Sequence, residues 1–477
     1  MLCALSGPSQ AAEIRHGLTP CRLQGVEHEA WCGLVSRPFD PARPQGLQID
    51  VHFAVLPALA RNRKLDAVFY FAGGPGQSAI DLAGPVGRML SRLSYRRDIV
   101  LIDQRGTGKS APLRCPEAAA TRPLAESANT EGQITRLREC RAGLQKLPYG
   151  DLRHFSTTLA AKDAEAVRSV LELEQVNLIG SSYGTRVALE YMRLFPHAVR
   201  RSVLDGVAPP DMVLPASFST DNQAALDGLV SYCEADERCR KLYPGLRADW
   251  QALLAGLPRM VSITHPVTGV VERLNLTRDS LLALTRQPLY VPALAAALPL
   301  AVTEAARGRF EALVGLSSAS SGNRTQPLAE GMHFSVVCGE DFPRLAQAKD
   351  VRGADFGDSF AQLYQQVCAD WPRAVLDKEF YEMPVARNST LVLSGGADPA
   401  TPPRHGERVV RALGNRARHV VVPQAGHGLM ALGCLRDVIY RFIDAPSDAE
   451  ALQVDVDCAR SIPRPPAFAP VAAEPQK

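Results

Sequence analysis

The sequence has few features of a membrane-spanning, nucleic-acid-binding or metal-binding protein. No stretch reaches about 18 uninterrupted apolar residues, which argues against a spanning helix. The net charge is only +3 and no long basic run occurs, so neither nucleic acid nor an anionic membrane is expected as the main partner. No two cysteines form a CxxC pair, and no cysteine–histidine cluster has zinc-finger spacing. We therefore expect neither a metal nor an organic cofactor.

The cysteines are the first positive signal. The chain has 11, and ten remain if Cys3 belongs to a removed leader. Disulfides persist in oxidising compartments, so we expect a periplasmic or secreted protein; buried free thiols in a cytosolic enzyme are the alternative. Pairing neighbours along the chain is one of several hundred arrangements that ten cysteines allow. It would join Cys21 to Cys32, Cys115 to Cys140, Cys233 to Cys239, Cys338 to Cys368 and Cys434 to Cys458.

The first residues resemble a processed leader only in part. Met1 to Leu5 is apolar, and Ser9-Gln10-Ala11 resembles a small-residue cleavage site, but a charged segment before them is missing. Residues 1–11 are therefore either the remnant of a signal peptide that starts further upstream, or no signal at all.

Hydrophobic periodicity predicts alternating strands and helices. Because apolar strands alternate with helical stretches, we predict an α/β class fold with a mostly parallel sheet covered by helices on both faces. Strands are predicted at 66–71, 98–102, 175–179, 201–204, 390–393 and 419–422. Between residues 209 and 386 the pattern becomes mainly helical, which predicts a cap inserted between core segments 12–208 and 387–460. Residues 461–477 are rich in proline and alanine and are predicted to be a loose tail.

The strongest motif is Gly180-Ser181-Ser182-Tyr183-Gly184, a G-x-S-x-G sequence between a predicted strand and a predicted helix. Small residues on both sides of a serine allow a sharp turn that exposes its hydroxyl. The following helix N-terminus favours negative charge there. We predict Ser182 as a nucleophile; a plain Gly/Ser loop is the alternative.

A serine hydroxyl needs a base, and two later motifs supply an acid and a histidine. Asp398 follows the predicted strand at 390–393, and His427 follows the one at 419–422. Strand ends are where α/β sheets place their functional side chains. His427 is predicted to take the serine proton, with Asp398 orienting its ring. Asp444 is a rival acid, but it lies after the histidine and in the final helix.

Two glycine-rich loops follow the first two predicted strands. Gly73-Gly74-Pro75-Gly76 allows close approach of backbone N–H groups to a substrate, so Gly74 and Tyr183 are the predicted oxyanion-hole donors. The segment 103–110, DQRGTGKS, resembles the end of a phosphate-binding loop. That motif needs glycine where Asp103 stands, so nucleotide binding is not expected, and a structural turn is the alternative.

Together these motifs resemble the proline iminopeptidase and tripeptidyl aminopeptidase branch of the α/β hydrolases. The branch has a GGPG loop, a DQRGxGxS segment, a GxSYG elbow and a C-terminal aspartate and histidine, and this chain has all of them in order. Ala72 stands where proline iminopeptidases typically have histidine, which is closer to the tripeptidyl group. The resemblance implies an α/β-hydrolase fold with a helical cap. It also implies acidic cap residues that bind the substrate's amino terminus, for which Glu340 and Asp341 are the candidates; a solvated acidic turn is the alternative.

The resulting hypothesis is a serine exopeptidase that removes N-terminal residues from short peptides through an acyl-enzyme on Ser182. A carboxylesterase with the same triad is the first alternative, because triad and oxyanion hole serve both reactions. A non-catalytic binding protein on the hydrolase fold is the second. The sequence carries no signal for the oligomeric state.

Overall fold

The computed structural model describes residues 17–116, 121–322, 328–385 and 387–469, so the leader expected at 1–11 lies outside the described residues. The strands in this part of the chain are β1 (Thr19–Cys21), β2 (Ala30–Pro38), β3 (Gln48–Leu56), β4 (Ala67–Phe71), β5 (Ile99–Ile102), β6 (Val176–Ser181), β7 (Val199–Asp205), β8 (Arg259–Thr264), β9 (Val271–Leu276), β10 (Ser389–Gly395) and β11 (Ala417–Val422).

Within the described ranges the helices are α1 (Ala83–Met89), α2 (Ser91–Ser94), α3 (Leu124–Ser127), α4 (Thr130–Leu144), α5 (Thr157–Val170), α6 (Tyr183–Leu194), α7 (Ala216–Ala235), α8 (Glu237–Leu242), α9 (Leu246–Ala255), α10 (Arg278–Leu289), α11 (Pro292–Ala295), α12 (Leu298–Ala306), α13 (Glu311–Gly322), α14 (Glu330–Val336), α15 (Ala361–Ala369), α16 (Pro403–Leu413), α17 (Leu435–Asp444) and α18 (Asp448–Leu452).

Nine of the described strands form one sheet, in the order β1-β2-β3-β5-β4-β6-β7-β10-β11. The pairs from β5 to β11 are parallel, and the pairs β1–β2, β2–β3 and β3–β5 are antiparallel. Helices α4, α5, α6 and α16 pack on one face. Helices α1, α2, α17 and α18 pack on the other. Burial on both faces explains why every residue of β4, β5 and β10 is buried. The α/β-hydrolase fold predicted from the sequence is confirmed.

The insertion between β7 and β10 consists of two parts with different packing. Helices α7–α13 and the β8–β9 hairpin have a core of their own, which includes Trp250 and Phe310. Helix α14 contributes Met332 and Phe334, and the chain just after α15 contributes Trp371, to the core on the α5/α6 face of the sheet. The second half of the insertion is therefore packed into the main domain.

The C-terminal segment packs against the cap as far as residue 469. The Phe468 N–H donates to the Ala296 carbonyl at 2.9 Å, and the Arg464 guanidinium lies 4.5 Å from the centre of the Tyr232 ring. Ala467 is buried in the cap core. The loose tail expected for residues 461–477 is thus not observed for this part, because its few apolar groups find a surface on the cap.

Five disulfides join cysteines that are neighbours along the chain: Cys21–Cys32, Cys115–Cys140, Cys233–Cys239, Cys338–Cys368 and Cys434–Cys458. Disulfides form and persist in oxidising compartments, which fits an extracellular or secreted protein. Among the described residues no helix is both long and apolar enough to cross a membrane.

Candidate active site

Ser182 occupies a sharp turn between a buried strand and a helix. It follows β6 directly, precedes α6, and has φ 55° and ψ −124°. A non-glycine residue in this region of backbone space is strained and is held there by its surroundings. One of those restraints is the hydrogen bond from the Ser182 N–H to the Asp205 carbonyl at the end of β7, at 2.8 Å.

The glycines on either side of Ser182 are required by space. A Cβ atom on Gly184 would lie 2.0 Å from the Phe71 carbonyl oxygen at the end of β4. A Cβ atom on Gly180 would lie 2.5 Å from the Gly184 carbonyl oxygen. The first turn of α6 can therefore approach the ends of the strands only if both positions lack a side chain. The G-x-S-x-G sequence is a packing requirement of this turn.

Asp398 and His427 lie side by side at the same edge of the sheet. His427 Nδ1 is 2.8 Å from Asp398 Oδ2. Asp398 is 1% exposed and also accepts the backbone N–H groups of Ala400 and Thr401, at 2.8 and 3.0 Å. The Thr401 hydroxyl donates to Asp398 Oδ2 at 2.8 Å and lies 3.1 Å from His427 Nδ1. The aspartate is thus fully engaged and aims one oxygen at the imidazole.

These contacts set the charges of the pair. Burial alone would raise the pKa of Asp398, but the charge of His427, its hydrogen bond and the two backbone N–H groups together lower it below the ordinary value. Burial alone would lower the pKa of His427, but the charge and hydrogen bond of Asp398, together with the charge of Asp205, raise it above its ordinary value. The site is therefore built to stabilise a positively charged imidazole.

Asp205 connects the serine turn to the histidine loop. Its carbonyl accepts the Ser182 N–H, and its buried carboxylate accepts the N–H groups of Leu429 at 2.9 Å and Met430 at 3.1 Å. Burial raises the pKa of Asp205 to about 6. A Cβ atom on the next residue, Gly206, would lie 3.0 Å from Thr401 Oγ1 and 3.3 Å from His427 Cε1, so the backbone packs closely against the imidazole there. The end of β7 is therefore bonded to the serine turn on one side and to the histidine loop on the other.

The GGPG loop lies against the serine. A Cβ atom on Gly73 would lie 3.0 Å from the Ser182 Cβ atom, and Gly74 has φ +114°. Tyr183 begins α6, so its N–H is among the four that a helix leaves without an intrahelical acceptor. Its phenol points elsewhere, since its oxygen lies 2.8 Å from Thr157 Oγ1. The structure thus brings Ser182, Tyr183 and the start of the GGPG loop together.

The DQRGTGKS segment is a buried structural turn. Asp103 accepts the Ser78 hydroxyl at 2.6 Å and the Ile80 N–H at 3.1 Å, which fixes the chain that leaves the GGPG loop. Arg105 makes a two-pronged ion pair with Asp163 on α5, at 2.7 and 2.8 Å. The N–H groups of Gly106, Thr107 and Ser110, which a phosphate would need, donate to carbonyl oxygens within the segment.

Glu340 and Asp341 lie in a π-helical turn, Val337–Asp341, and face inward. Glu340 is 0% exposed, accepts the Thr157 N–H at 2.7 Å and lies 3.3 Å from Arg186 on α6. Asp341 is 2.9 Å from the same guanidinium. Burial raises the pKa of Glu340 to about 7. That these two carboxylates receive a substrate ammonium stays a prediction; both are buried beneath α6 beside Arg186, whose single positive charge can balance only one of them.

Tyr290, at the end of α10, brings the cap to the histidine. Its carbonyl accepts the His427 N–H at 2.9 Å, and its ring meets the imidazole edge to face at a centroid distance of 5.3 Å. Sequence reasoning missed Tyr290, Thr401 and Asp205. Only Thr401 had a local signal, since it stands three residues after the aspartate whose turn it closes.

Comparison with known proteins agrees with this architecture. Residues 66–254 match the family model described as alpha/beta hydrolase fold. The sheet order and this match show that the chain has the α/β-hydrolase fold. Residues 353–453 match a second family model, described as TAP-like protein.

Three relatives show the range of names among similar proteins. The tripeptidyl aminopeptidase of Streptomyces lividans is 32% identical over 190 residues, which cover 38% of this chain and 35% of the relative. The serine protease Hip1 of Mycobacterium tuberculosis is 32% identical over 230 residues, or 43% of each chain. Carboxylesterase B of M. tuberculosis is 25% identical over 429 residues, which cover 81% of this chain and 78% of the relative. The matches to the first two therefore span less than half of those proteins.

Proposed function

We propose that this chain is a serine exopeptidase that releases N-terminal residues from short peptides. The observation that carries the proposal is the strained Ser182 turn together with the Asp398–His427 pair, whose Nδ1–Oδ2 distance is 2.8 Å; the serine turn and the histidine loop are both bonded to Asp205 at the end of β7. Nothing in a binding function requires a strained serine beside a histidine that a buried aspartate orients.

The roles of the three residues follow from the groups they contact. Because Nδ1 of His427 is bound to Asp398, its Nε2 is the nitrogen left to accept the Ser182 proton. Ser182 Oγ then bonds to the carbonyl carbon of the substrate, and a tetrahedral oxyanion forms. As the C–N bond breaks, the imidazolium returns the proton to the leaving amine, and an ester to Ser182 remains. Water, deprotonated by the same imidazole, hydrolyses that ester and restores the serine.

The oxyanion requires donors that are in place before it forms. The N–H groups of Tyr183 and Gly74 are the proposed donors, because one begins α6 beside Ser182 and the other lies in the loop that touches it. The contacts of Arg186 on α6 with Glu340 and Asp341 would help to hold this helix, and therefore the Tyr183 N–H, in place.

The exopeptidase assignment is supported by similarity to the tripeptidyl aminopeptidase and to Hip1. Carboxylesterase activity is the second candidate, favoured by the long match to carboxylesterase B. For location, we propose the periplasm or the extracellular medium, where the five disulfides would persist.

A small substrate panel separates the two activities. We would measure hydrolysis of Pro-, Ala- and tripeptidyl anilides, their N-acetylated forms, and p-nitrophenyl acetate and butyrate, with Ser182→Ala as control. The proposal expects cleavage of free-amine anilides, much slower cleavage of acetylated ones, and no activity in the variant. Turnover of esters alone would leave the triad in place but refute the peptidase assignment.

A further inference from the structure

Arg286 in the cap is a cation without a carboxylate partner. In the described part of the chain no carboxylate lies within 4.0 Å of it, and its one hydrogen bond, at 3.2 Å, goes to the Tyr290 hydroxyl. Its Nε is buried and lacks a hydrogen-bond partner among the described residues. Charged groups that are removed from water are normally paired, so an unpaired guanidinium here requires an explanation.

Aromatic rings surround this guanidinium. Its central carbon lies 5.0 Å from the ring centre of Phe360, 5.5 Å from that of Phe218 and 5.8 Å from that of Tyr290. Rings that pack on the flat faces of a guanidinium hold it still and leave its in-plane N–H groups available. An arginine held in this way is prepared to bind a planar anion.

The position of Arg286 relates it to the reacting groups. Its guanidinium carbon and the His427 ring lie 5.8 Å and 5.3 Å from the same Tyr290 ring centre, so they are at most about 11 Å apart. Arg286 is also close enough to His333 to contribute to the lowering of the His333 pKa to about 4, which is due chiefly to burial. His333 lies against the backbone of Pro75 in the GGPG loop, and its Nε2 is 2.8 Å from the Tyr364 hydroxyl. Arg286 thus lies near both the Tyr290 ring that contacts His427 and the histidine that contacts the GGPG loop.

Two acidic groups of this region are already engaged in other contacts. Glu330 makes a two-pronged ion pair with Arg136, at 2.7 Å for each contact. Asp279, two turns earlier on α10, accepts the Ser359 hydroxyl at 2.9 Å. Since no described carboxylate pairs with Arg286, a bound molecule is the available source of an anion for it.

We propose that Arg286 is a specificity-determining residue that binds a carboxylate of the peptide substrate. This inference rests on the proposed peptidase function and narrows it to peptides that carry a carboxylate within about two residues of the scissile bond. The carboxylate can be the free C-terminus of a short peptide or the side chain of an aspartate or glutamate. Its two oxygens match the paired N–H groups of the guanidinium.

Two matched pairs of peptides distinguish these sources. One pair is tetraalanine with a free C-terminus and the same peptide as an amide. The other is Ala-Ala-Ala-Glu amide and Ala-Ala-Ala-Gln amide. For each pair we would measure the ratio of kcat/KM values, so that a general loss of activity in a variant cancels. If Arg286 forms a hydrogen-bonded ion pair with the substrate carboxylate, the wild type should show a kcat/KM ratio of about 10 to 100 for the peptide pair whose carboxylate reaches it.

The variants then test the residue itself. Arg286→Gln should bring the ratio to about 1, and Arg286→Lys, which keeps the charge but loses the fork, should give an intermediate value. Arg307→Gln removes an exposed cap arginine that pairs with Glu304 and should keep the wild-type ratio. A ratio near 1 for both pairs in the wild type, or an unchanged ratio in Arg286→Gln, would overturn the proposal.

Failure of the peptidase assignment would be seen separately. If no peptide is cleaved while p-nitrophenyl acetate is, the peptides of each pair would be compared as inhibitors of ester hydrolysis. Stronger inhibition by the carboxylate member, lost in Arg286→Gln, would support the anion site on an esterase. Equal inhibition by both members would refute it.

Discussion

Replacement of Ser182 by glycine is expected to give a more stable protein than replacement by alanine, and both variants should be inactive. Ser182 has φ 55° and ψ −124°, a conformation that costs a side-chain-bearing residue about 1–3 kcal/mol. Glycine adopts it freely, but glycine also gains about 0.4–1 kcal/mol of conformational freedom in the unfolded chain. The difference between these two ranges predicts that Ser182→Gly is about 0–2.6 kcal/mol more stable than Ser182→Ala, which lacks the hydroxyl but keeps the strain.

The measurement is urea unfolding of both variants with the disulfides intact. The midpoints can be compared directly if the unfolding free energy of both variants has the same slope against urea concentration. Ser181→Gly is the matched control, because Ser181 lies at the end of β6 and has no left-handed backbone. Glycine at that position should lower stability by about 0.5–1 kcal/mol. If the urea midpoint of Ser182→Gly is at or below that of Ser182→Ala, the backbone at Ser182 is not strained, which would contradict this prediction.

Three further predictions concern the histidine, its acids and the elbow glycines. Asp398→Asn should lower kcat about 10⁴-fold, because an amide favours the wrong imidazole tautomer; a loss under tenfold in steady-state kinetics would contradict this. Since only neutral His427 acts as a base and its pKa is raised, activity should be full above that pKa and fall as the pH decreases through it. Asp205→Asn should move this limb of the kcat/KM profile to lower pH, because it removes a charge that favours the imidazolium; an unmoved limb would refute the coupling. Gly184→Ala should prevent formation of the elbow and abolish activity, whereas Gly143→Ala, in open space on α4, should keep activity and stabilise by about 1 kcal/mol in the same unfolding assay.

Much of the central sheet could be predicted from the sequence because its parallel strands are buried on both faces. Continuous apolar runs such as Ala67–Phe71 and Ile99–Ile102 stand out from their flanks, and the site motifs follow them directly. The antiparallel strands β1–β3 were missed. Much of β2 is only half-buried, and the first half of β3 alternates between exposed and buried residues. The alternation in β3 is itself the pattern of a half-buried strand and could have been predicted, whereas β2 carries a weaker local signal.

The remaining differences arise from contacts between distant parts of the chain. Glu340 stands in a short acidic sequence that resembles a solvated turn, and its burial is decided by Arg186 and Thr157, more than 150 residues away. The packing of α14 and α15 into the main core has the same origin. Asp205 and Tyr290 are also invisible locally, because their partners are brought to them only when β7 and α10 reach the histidine loop.

The central claim is that Ser182 is the activated nucleophile, and covalent labelling tests it most directly. The protein would be treated with a fluorophosphonate and the modified peptide identified by mass spectrometry, alongside Ser181→Ala and Ser182→Ala. The structure predicts a single adduct on Ser182, retained in Ser181→Ala and lost in Ser182→Ala. No adduct on the wild-type protein, or an adduct that persists in Ser182→Ala, would contradict the account.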